Sequence, residues 1–282
     1  MKFAVIGGDL RFAEACALLS LSGHDVAPFA LELAEGITCA QSLGEALHGA
    51  DCVLLPLPVC AQRGLLNAPL SAGEYAIEEI ISAIEPRSLV AAGRIDEHTR
   101  TAAERHGLNL VDYFNREELA IYNAAATAEG AVALLMQNTS ITLWRSRVLI
   151  TGFGRIGKLL AQKLSALGAY VTVSSRSFED MAWCEVLGYD IMDTRTLNGL
   201  GKFDIVVNTV PAPVLGEREL AQLSPGALCM DLASKPGGMD FAAAARLGVR
   251  ALWALSLPGE ASPRSAAGMI LDTIGNIIAE RS

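Results

Sequence analysis

The amino-acid sequence predicts an α/β protein of two Rossmann-like domains, each built on a parallel sheet, and three observations support this fold class. Short apolar strands alternate with helical segments in both halves of the chain, which is how parallel sheets covered by helices arise. One strand in the second half runs directly into a complete G-x-G-x-x-G motif. The 282 residues are enough for two domains of ordinary size, with a cleft between them where a small ligand is expected.

The first half is predicted to contain five strands that alternate with helices. The strands lie at 3–6, 25–29, 52–58, 89–92 and 108–111, and the helices lie at 11–21, within 71–84 and at 96–106. The first strand ends at Gly7-Gly8-Asp9, which lacks the third glycine of a dinucleotide-binding fingerprint. This domain is therefore predicted to be Rossmann-like without binding a dinucleotide itself.

The glycine motif of the second half stands in the context that a dinucleotide site requires. An apolar strand precedes it, a helix follows it and ends at Gly168, and a second strand comes next. In such a unit the first glycine makes a tight turn, the second lets the backbone approach a pyrophosphate, and the third lets helix and strand pack closely. The start of the helix offers free N–H groups to the phosphates. The residues predicted to bind the dinucleotide here are Gly152, Phe153, Gly154, Arg155, Ile156 and Gly157.

The end of that second strand predicts which dinucleotide binds. An NAD site usually carries an acidic residue there, which accepts a hydrogen bond from the ribose 2′-hydroxyl. This chain has Ser174, Ser175 and Arg176 instead, and the first carboxylate is Glu179. Hydroxyls and a guanidinium suit a 2′-phosphate, because Arg can bind it with paired, charge-assisted hydrogen bonds. NADP is therefore predicted as the cofactor; the alternative interpretation is an ordinary polar turn.

The rest of the second half completes the predicted domain organisation. Strands are expected at 204–208, 227–231 and 250–254, and Asn208, Thr209 and Pro211 follow the first of them, where a loop usually covers the ribose and nicotinamide. The terminal helix begins at Ser262-Pro263, a capping residue followed by a first-turn proline. The prediction assigns 1–125 to a substrate domain, on which the helix at 263–282 packs, and 126–262 to the NADP domain with a linking helix.

Composition excludes several classes of function. The net charge of −9 argues against a nucleic-acid or anionic-membrane partner. Six cysteines without C-x-x-C or metal-ligand spacing indicate reduced thiols, no metal site and a cytoplasmic protein. The apolar run at residues 3–6 is too short for the hydrophobic part of a signal segment. The sequence contains no run of 18 apolar residues, so no membrane span is predicted.

Several motifs together resemble the family of dipicolinate synthase A subunits, and they extend from residue 3 to about residue 275. They are Gly7-Gly8-Asp9-x-Arg11, Ala120-Ile121-Tyr122-Asn123, Thr127-Ala128-Glu129-Gly130-Ala131, the NADP unit, Asn208-Thr209-Val210-Pro211, Asp231-Leu232-Ala233-Ser234-Lys235-Pro236-Gly237-Gly238 and Leu257-Pro258-Gly259. Two segments depart from the family pattern. At 124–126 this chain has three alanines where the family has Ser-Ile-Pro. At 263–267 it has Pro-Arg-Ser-Ala-Ala where the family has Pro-x-Thr-Ala-Gly.

The resemblance implies an activity and a partner. Members of this family oxidise dihydrodipicolinate to dipicolinate with NADP during endospore formation, in the cytoplasm of the mother cell. They require a second, flavoprotein-like B subunit. The resemblance thus predicts an oxidoreductase with a small dicarboxylate substrate that works in a heteromeric complex. Whether the chain also forms a homo-oligomer is left open.

Three residues are candidates for binding the substrate. Thr127, at the predicted start of the linking helix, could hold one carboxylate with its hydroxyl and the free amides of 128–130, or it could be a plain N-cap. Arg11 could hold the other carboxylate, or it could be a solvated arginine at a helix start. Asp9 could take part in the chemistry, or it could only accept turn N–H groups.

Two residues are candidates for accepting the proton that the oxidation releases. Glu129 would act as a carboxylate poised by burial, and Lys235 would act from a loop facing the nicotinamide. The alternatives are a helix-start carboxylate that complements the helix dipole and a turn lysine on a mobile loop.

Three other functions compete with this one. A D-2-hydroxyacid dehydrogenase shares the two-domain plan but needs a late histidine as acid–base, and this chain has no histidine beyond His106. A shikimate-type reductase would fit NADP and the Asn-Thr-x-Pro element, but its Lys/Asp site is not evident. A cofactor-binding regulatory protein without turnover of its own is the alternative from another class.

Overall fold

The computed structural model describes residues 1–255, 257 and 262–281, and the chain forms two compact units. Unit 1 consists of Met1–Asn123 together with the segment that begins at Ser262, and unit 2 consists of Ala124–Ala261. Each unit has its own parallel sheet and its own apolar core. The α/β fold class predicted from the alternating strands and helices is confirmed.

Unit 1 is a five-stranded sheet covered by helices. Its elements are β1 (Lys2–Ile6), α1 (Leu10–Leu21), β2 (Asp25–Phe29), α2 (Leu43–Leu47), β3 (Cys52–Leu54), β4 (Cys60–Gln62), β5 (Leu65–Leu66), α3 (Ile77–Ala83), β6 (Leu89–Ala92), α4 (Glu97–Arg105) and β7 (Asn109–Asp112). The sheet order is β2-β1-β3-β6-β7, with all neighbours parallel, while β4 and β5 form a separate antiparallel hairpin. The carboxyl ends of the five strands therefore share one edge.

The third strand is shorter than predicted. It ends at Leu54 rather than at residue 58, because Pro56 and Pro58 have no N–H to donate to a neighbouring strand. Residues 55–59 instead run beside the end of β6, where the amides of Leu55 and Val59 donate to the carbonyls of Ala91 and Gly93.

The C-terminal helix α10 (Pro263–Ala279) completes the core of unit 1. Ser262 occupies its N-cap and Pro263 its first turn, but the Ser262 side chain makes no capping hydrogen bond. Apolar residues at three- and four-residue spacing form one buried face that packs with α1. The buried members on α10 are Ala267, Ile270, Ile274 and Ile277.

Unit 2 is a six-stranded parallel sheet with helices. Its elements are β8 (Arg147–Thr151), α6 (Arg155–Ala166), β9 (Tyr170–Ser175), α7 (Phe178–Val186), β10 (Asp190–Asp193), β11 (Ile205–Asn208), α8 (Glu217–Leu220), β12 (Leu228–Asp231), α9 (Phe241–Leu247) and β13 (Arg250–Trp253). The order β10-β9-β8-β11-β12-β13 is that of a doubly wound dinucleotide-binding sheet, and the direction in which strands are added reverses between β8 and β11.

The linking helix begins ten residues before its predicted start. Helix α5 runs without interruption from Glu117 to Asn138, so Thr127 lies in its interior. Nothing at 124–126 stops the helix, since alanine has the highest helix propensity of all residues. The helix has the length and composition of a membrane span, yet Ala128, Ala131 and Leu135 lie in the core of unit 2.

Candidate functional site

A cavity of about 570 Å³ opens at the carboxyl edge of the unit 2 sheet. It lies at the reversal point between β8 and β11, which is where doubly wound sheets bind their ligands. Its lining comes from the turn after β8, the ends of β9 and β10, and the loop after β11. The lining residues are Gly152–Ile156, Ser175–Ser177, Asp180, Thr194, Arg195 and Thr209–Val214.

The glycine turn after β8 has the shape that a dinucleotide pyrophosphate requires. Gly152 has a φ of +91°, and a Cβ there would come within 2.7 Å of the Thr209 hydroxyl and the Val210 side chain. A Cβ on Gly157 would collide with the carbonyl oxygen of Gly152, so this glycine permits close packing of α6 on the strand. A Cβ on Gly154 would meet nothing within 4 Å, so the backbone there is open to a ligand. Gly154 caps α6 without a side chain, leaving the helix start accessible to an anion.

Nine of the twelve predicted cofactor residues line this cavity, and three lie behind its surface. Gly157, Ser174 and Asn208 are buried, and the Asn208 and Ser174 side chains have no exposed area. Direct contact of the Asn208 side chain with a cofactor is therefore a wrong expectation. These three residues support the lining from behind.

Asn208 belongs to a buried chain of hydrogen bonds that joins three strand ends. Its Oδ1 accepts from the Thr151 hydroxyl at 2.6 Å, and its Nδ2 donates to Asp231 Oδ1 at 2.7 Å. Asp231 also accepts from the amides of Ala233, Gly238 and Met239 at 2.8–3.1 Å. Thr151, Asn208 and Asp231 have no exposed area. The loops that follow β8, β11 and β12 are thereby held to one another.

The far end of the cavity includes residues that the sequence did not single out. β10 pairs with β9 so that Asp193 stands opposite Ser175, which puts Thr194 and Arg195 beside Arg176. The strand was not predicted, because only two of its four residues are apolar. Asp180 also lines the cavity, and its Oδ2 accepts from the Ser175 hydroxyl at 2.9 Å.

Neither of the proposed proton acceptors is buried. The Glu129 side chain is 70% exposed and pairs with Lys163 at 2.9 Å, so the expected poising of its carboxylate by burial is wrong. Lys235 is exposed in the loop that follows β12, a loop whose other members bind the buried carboxylate of Asp231. Of the two, only Lys235 is supported by a structured loop at the same sheet edge as the cavity.

Thr127 does not form the anion site that its motif suggested. Because α5 begins at Glu117, the amides of 128–130 lie in the helix interior, where they donate to carbonyls of the preceding turn. The helix-start explanation for substrate binding is therefore wrong.

Asp9 and Arg11 form a tight pair at the carboxyl edge of the unit 1 sheet. Asp9 caps α1, accepting from the Arg11 amide at 3.0 Å, and its carboxylate accepts from Arg11 Nε and Nη2 at 2.7–3.2 Å. Nη2 also donates to the Leu57 carbonyl at 2.6 Å. With a side chain only 16% exposed, Arg11 is not a solvated helix-start arginine. Among the described residues Nη1 has no partner, so half of the guanidinium remains available to an anion.

The buried cysteines are not candidates for a catalytic nucleophile. Burial raises the pKa of the Cys16, Cys52 and Cys229 thiols to about 12, so these thiols are neutral at physiological pH. In the described part of the chain, no group of three or more His, Cys, Asp or Glu side chains could hold a metal ion.

Comparison with known proteins identifies the family. A model of the N-terminal domain of the dipicolinate synthase A subunit matches residues 2–114. A model of the NAD binding domain of D-isomer specific 2-hydroxyacid dehydrogenases matches residues 121–234. The chain is 31% identical over 286 residues to the dipicolinate synthase A subunit of Bacillus subtilis (strain 168), an alignment that covers 99% of this chain and 96% of that protein. The chain belongs to the family of dipicolinate synthase A subunits.

Solved structures of the family share the fold along the whole chain. The crystal structure of the dipicolinate synthase A subunit from Bacillus halodurans is 29% identical with a TM-score of 0.87, covering 99% of this chain and 97% of that one. The Bacillus subtilis structure is 30% identical, also with a TM-score of 0.87, covering 99% and 96%. Salmonella D-lactate dehydrogenase, at 16% identity and a TM-score of 0.64 over 98% and 96%, shows a shared fold alone. The match of residues 121–234 to an NAD binding domain indicates that unit 2 binds a nicotinamide dinucleotide.

Two glycine substitutions should separate the effect of the turn on protein stability from its effect on NADPH binding. Gly154→Ala is expected to fold normally, because its Cβ meets open space, but to weaken NADPH binding at least about 10-fold by crowding the pyrophosphate at a cost of about 1–3 kcal/mol. Gly157→Ala should lower the melting temperature as well, because its Cβ meets the Gly152 carbonyl. Fluorescence titration and thermal unfolding measure the two effects. Unchanged NADPH affinity in Gly154→Ala would show that the dinucleotide does not cross this turn.

Proposed function

We propose that this chain oxidises dihydrodipicolinate to dipicolinate with NADP as acceptor, within a synthase of two different subunits. Two findings support the proposal. The chain belongs to the family of dipicolinate synthase A subunits over its whole length. The cavity of unit 2 has the open glycine turn and uncapped helix start that a dinucleotide requires. The second of these carries the proposal, because it rests on the geometry of this chain.

The proposed reaction requires no covalent bond between the protein and the substrate. The dihydropyridine ring of the substrate loses one hydride and one proton, and the product ring becomes aromatic. NADP held by the residues of the unit 2 cavity would supply the acceptor for the hydride. The protein must orient the ring, neutralise two carboxylates, and supply a route for the proton, so positioning provides much of the rate.

NADP rather than NAD is proposed from the polar end of the cavity. No carboxylate stands at the end of β9, where NAD sites place one; Ser175 and Arg176 stand there. The nearest carboxylate in the lining, Asp180, lies on the first turn of α7 and is engaged by the Ser175 hydroxyl. A guanidinium at this position favours a 2′-phosphate.

Arg11 is proposed to bind one substrate carboxylate. Asp9 fixes the plane of the guanidinium through its bidentate contact, while Nη1 stays open. Asp9 thus acts as the residue that orients Arg11 rather than as a base. For the proton, Lys235 is the proposed acceptor, because its loop follows β12 at the sheet edge where the cavity opens, whereas the Glu129 carboxylate is paired with Lys163.

The complex is proposed to be a cytoplasmic one with a flavoprotein-like B subunit. The relatives from both Bacillus species are named as one lettered subunit of the synthase, which indicates a second chain. We place the complex in the mother cell of a sporulating bacterium.

The central assay follows NADPH and dipicolinate absorbance together, with the purified chain, NADP and freshly generated dihydrodipicolinate. When the B subunit is added, NADPH and dipicolinate are expected to form in equal amounts, because each hydride transfer yields one molecule of each. A chain that binds NADPH but forms no dipicolinate with or without the B subunit would contradict the substrate. Turnover that is independent of the B subunit would contradict a shared site.

Substitutions at the two candidate acceptors should separate their roles. Lys235→Ala is expected to lower kcat at least about 100-fold, as loss of a general base does, whereas Glu129→Gln should leave kcat unchanged. Lys235→Arg tests proton transfer against charge, because the Arg guanidinium stays protonated and cannot accept a proton, whereas a neutral lysine amine can. Normal kcat in Lys235→Arg would contradict a proton-accepting role, and equal losses in Lys235→Ala and Glu129→Gln would contradict the choice between them.

A further inference from the structure

We infer that Arg195 is the second arginine of a two-arginine subsite that selects NADP over NAD, and that Asp193 is its positioning residue. The inference rests on the proposed NADP-dependent function and adds to it the residue that determines cofactor choice. Four features of the cavity support it.

The first feature is the register of the two neighbouring strands. β9 and β10 are parallel, with Met192 opposite Ser174 and Asp193 opposite Ser175. The residues that follow each strand therefore leave the sheet side by side. Arg176 follows one strand, Arg195 follows the other, and both line the same cavity.

The second feature is how Arg195 is held. Its Nε donates to both oxygens of Asp193 at 2.9 and 3.1 Å, and Nη2 donates to Asp193 Oδ2 at 2.7 Å. The Asp193 carboxylate also accepts from the Arg195 amide at 2.8 Å. One edge of the guanidinium is fixed by these bonds, and Nη1 has no partner within the described residues. The Arg195 side chain is 58% exposed, so a phosphate can reach this open half.

The third feature is the connection between the two strand ends. The Thr194 hydroxyl donates to the Ser174 hydroxyl at 3.2 Å, and the Ser177 amide donates to the Ser175 hydroxyl at 3.1 Å. The first bond links the two strand ends through short polar side chains, and the second shapes the turn that follows β9. Arg176, exposed, forms no ion pair with any residue that the structure describes.

The fourth feature is the charge balance of the lining. Among the described residues the lining holds one carboxylate, Asp180, which accepts from Ser175 and lies on the first turn of α7, where the helix dipole stabilises a negative charge. Asp193 engages only one edge of the Arg195 guanidinium, and Arg176 forms no ion pair with a described residue, so both side chains keep donors for a phosphate. A 2′-phosphate carries up to two negative charges and three acceptor oxygens, and it can bind two guanidinium groups at once. The ribose 2′-hydroxyl of NAD is neutral, so the two arginines are expected to add little to the affinity for NAD.

The test measures the dissociation constants of NADPH and NADH by calorimetry on the full chain, which gives a readout independent of turnover. Arg195→Ala and Arg176→Ala are each expected to weaken NADPH about 10-fold, as loss of one charge-assisted contact does, and to leave NADH unchanged. Arg246→Ala is the matched control, because Arg246 is similarly exposed and pairs with Glu217 away from the cavity. Thermal unfolding of each variant confirms that it is folded.

Positioning by Asp193 is tested with a double-mutant cycle. Asp193→Asn should weaken NADPH but not NADH, and this effect should vanish in the Arg195→Ala background, since Asp193 acts through Arg195. An effect of Asp193→Asn that persists without Arg195 would show a merely structural role.

The outcomes separate this inference from the function on which it rests. Equal weakening of NADPH and NADH in Arg195→Ala would overturn the inference and indicate contact with the adenine instead. An unchanged NADPH constant in Arg195→Ala would overturn it as well. A wild-type chain that binds NADH as tightly as NADPH would contradict the proposed NADP preference itself, whatever Arg195 does.

Discussion

The buried carboxylate of Asp231 is the constraint on which the cofactor edge of unit 2 depends. A charged group without exposed area is tolerated only when hydrogen bonds satisfy its oxygens, and here Asn208 and three loop amides do so. The loop after β12 therefore has to wrap around this carboxylate. Glycine is required where it does so, because a Cβ on Gly237 would lie 2.9 Å from Asp231 Oδ2, and one on Gly238 would meet Asn208 and the carbonyl of Val210.

The hydrogen bonds around Asp231 also fix the loops that carry exposed residues at this sheet edge. The amides of Val214 and Leu215 donate to the Gly238 carbonyl, so the loop after β11 is fixed to the loop after β12. This support leaves two exposed groups at the carboxyl edge of the sheet, Lys235 in the loop after β12 and Arg176 in the lining of the cavity. Unit 1 repeats the principle at its own sheet edge, where Asp9 fixes one half of the Arg11 guanidinium.

Local patterns in the sequence were enough to predict most strands and the glycine turn. The strand at 89–92 is found at its predicted bounds, and nine of the twelve cofactor residues line the cavity, because strand, turn and helix are encoded by adjacent residues. The start of α5 was not predictable from the Thr127 motif, since a capping residue is also tolerated inside a helix. The exposure of Glu129, the burial of Asn208 and the position of Arg195 depend on which elements become neighbours, and local spacing does not contain that information.

The role of the Asp231 carboxylate is tested most directly by the NADPH dissociation constant of Asp231→Asn, measured beside the wild type by fluorescence titration. Asparagine has one acceptor oxygen instead of two, and its amide group would face the N–H donors of the loop. Each hydrogen bond to the charged group contributes about 1.5–3 kcal/mol, so a folded Asp231→Asn chain is expected to bind NADPH at least about 10-fold more weakly. A folded variant that binds NADPH as tightly as the wild type would contradict the claim that this carboxylate organises the cofactor site.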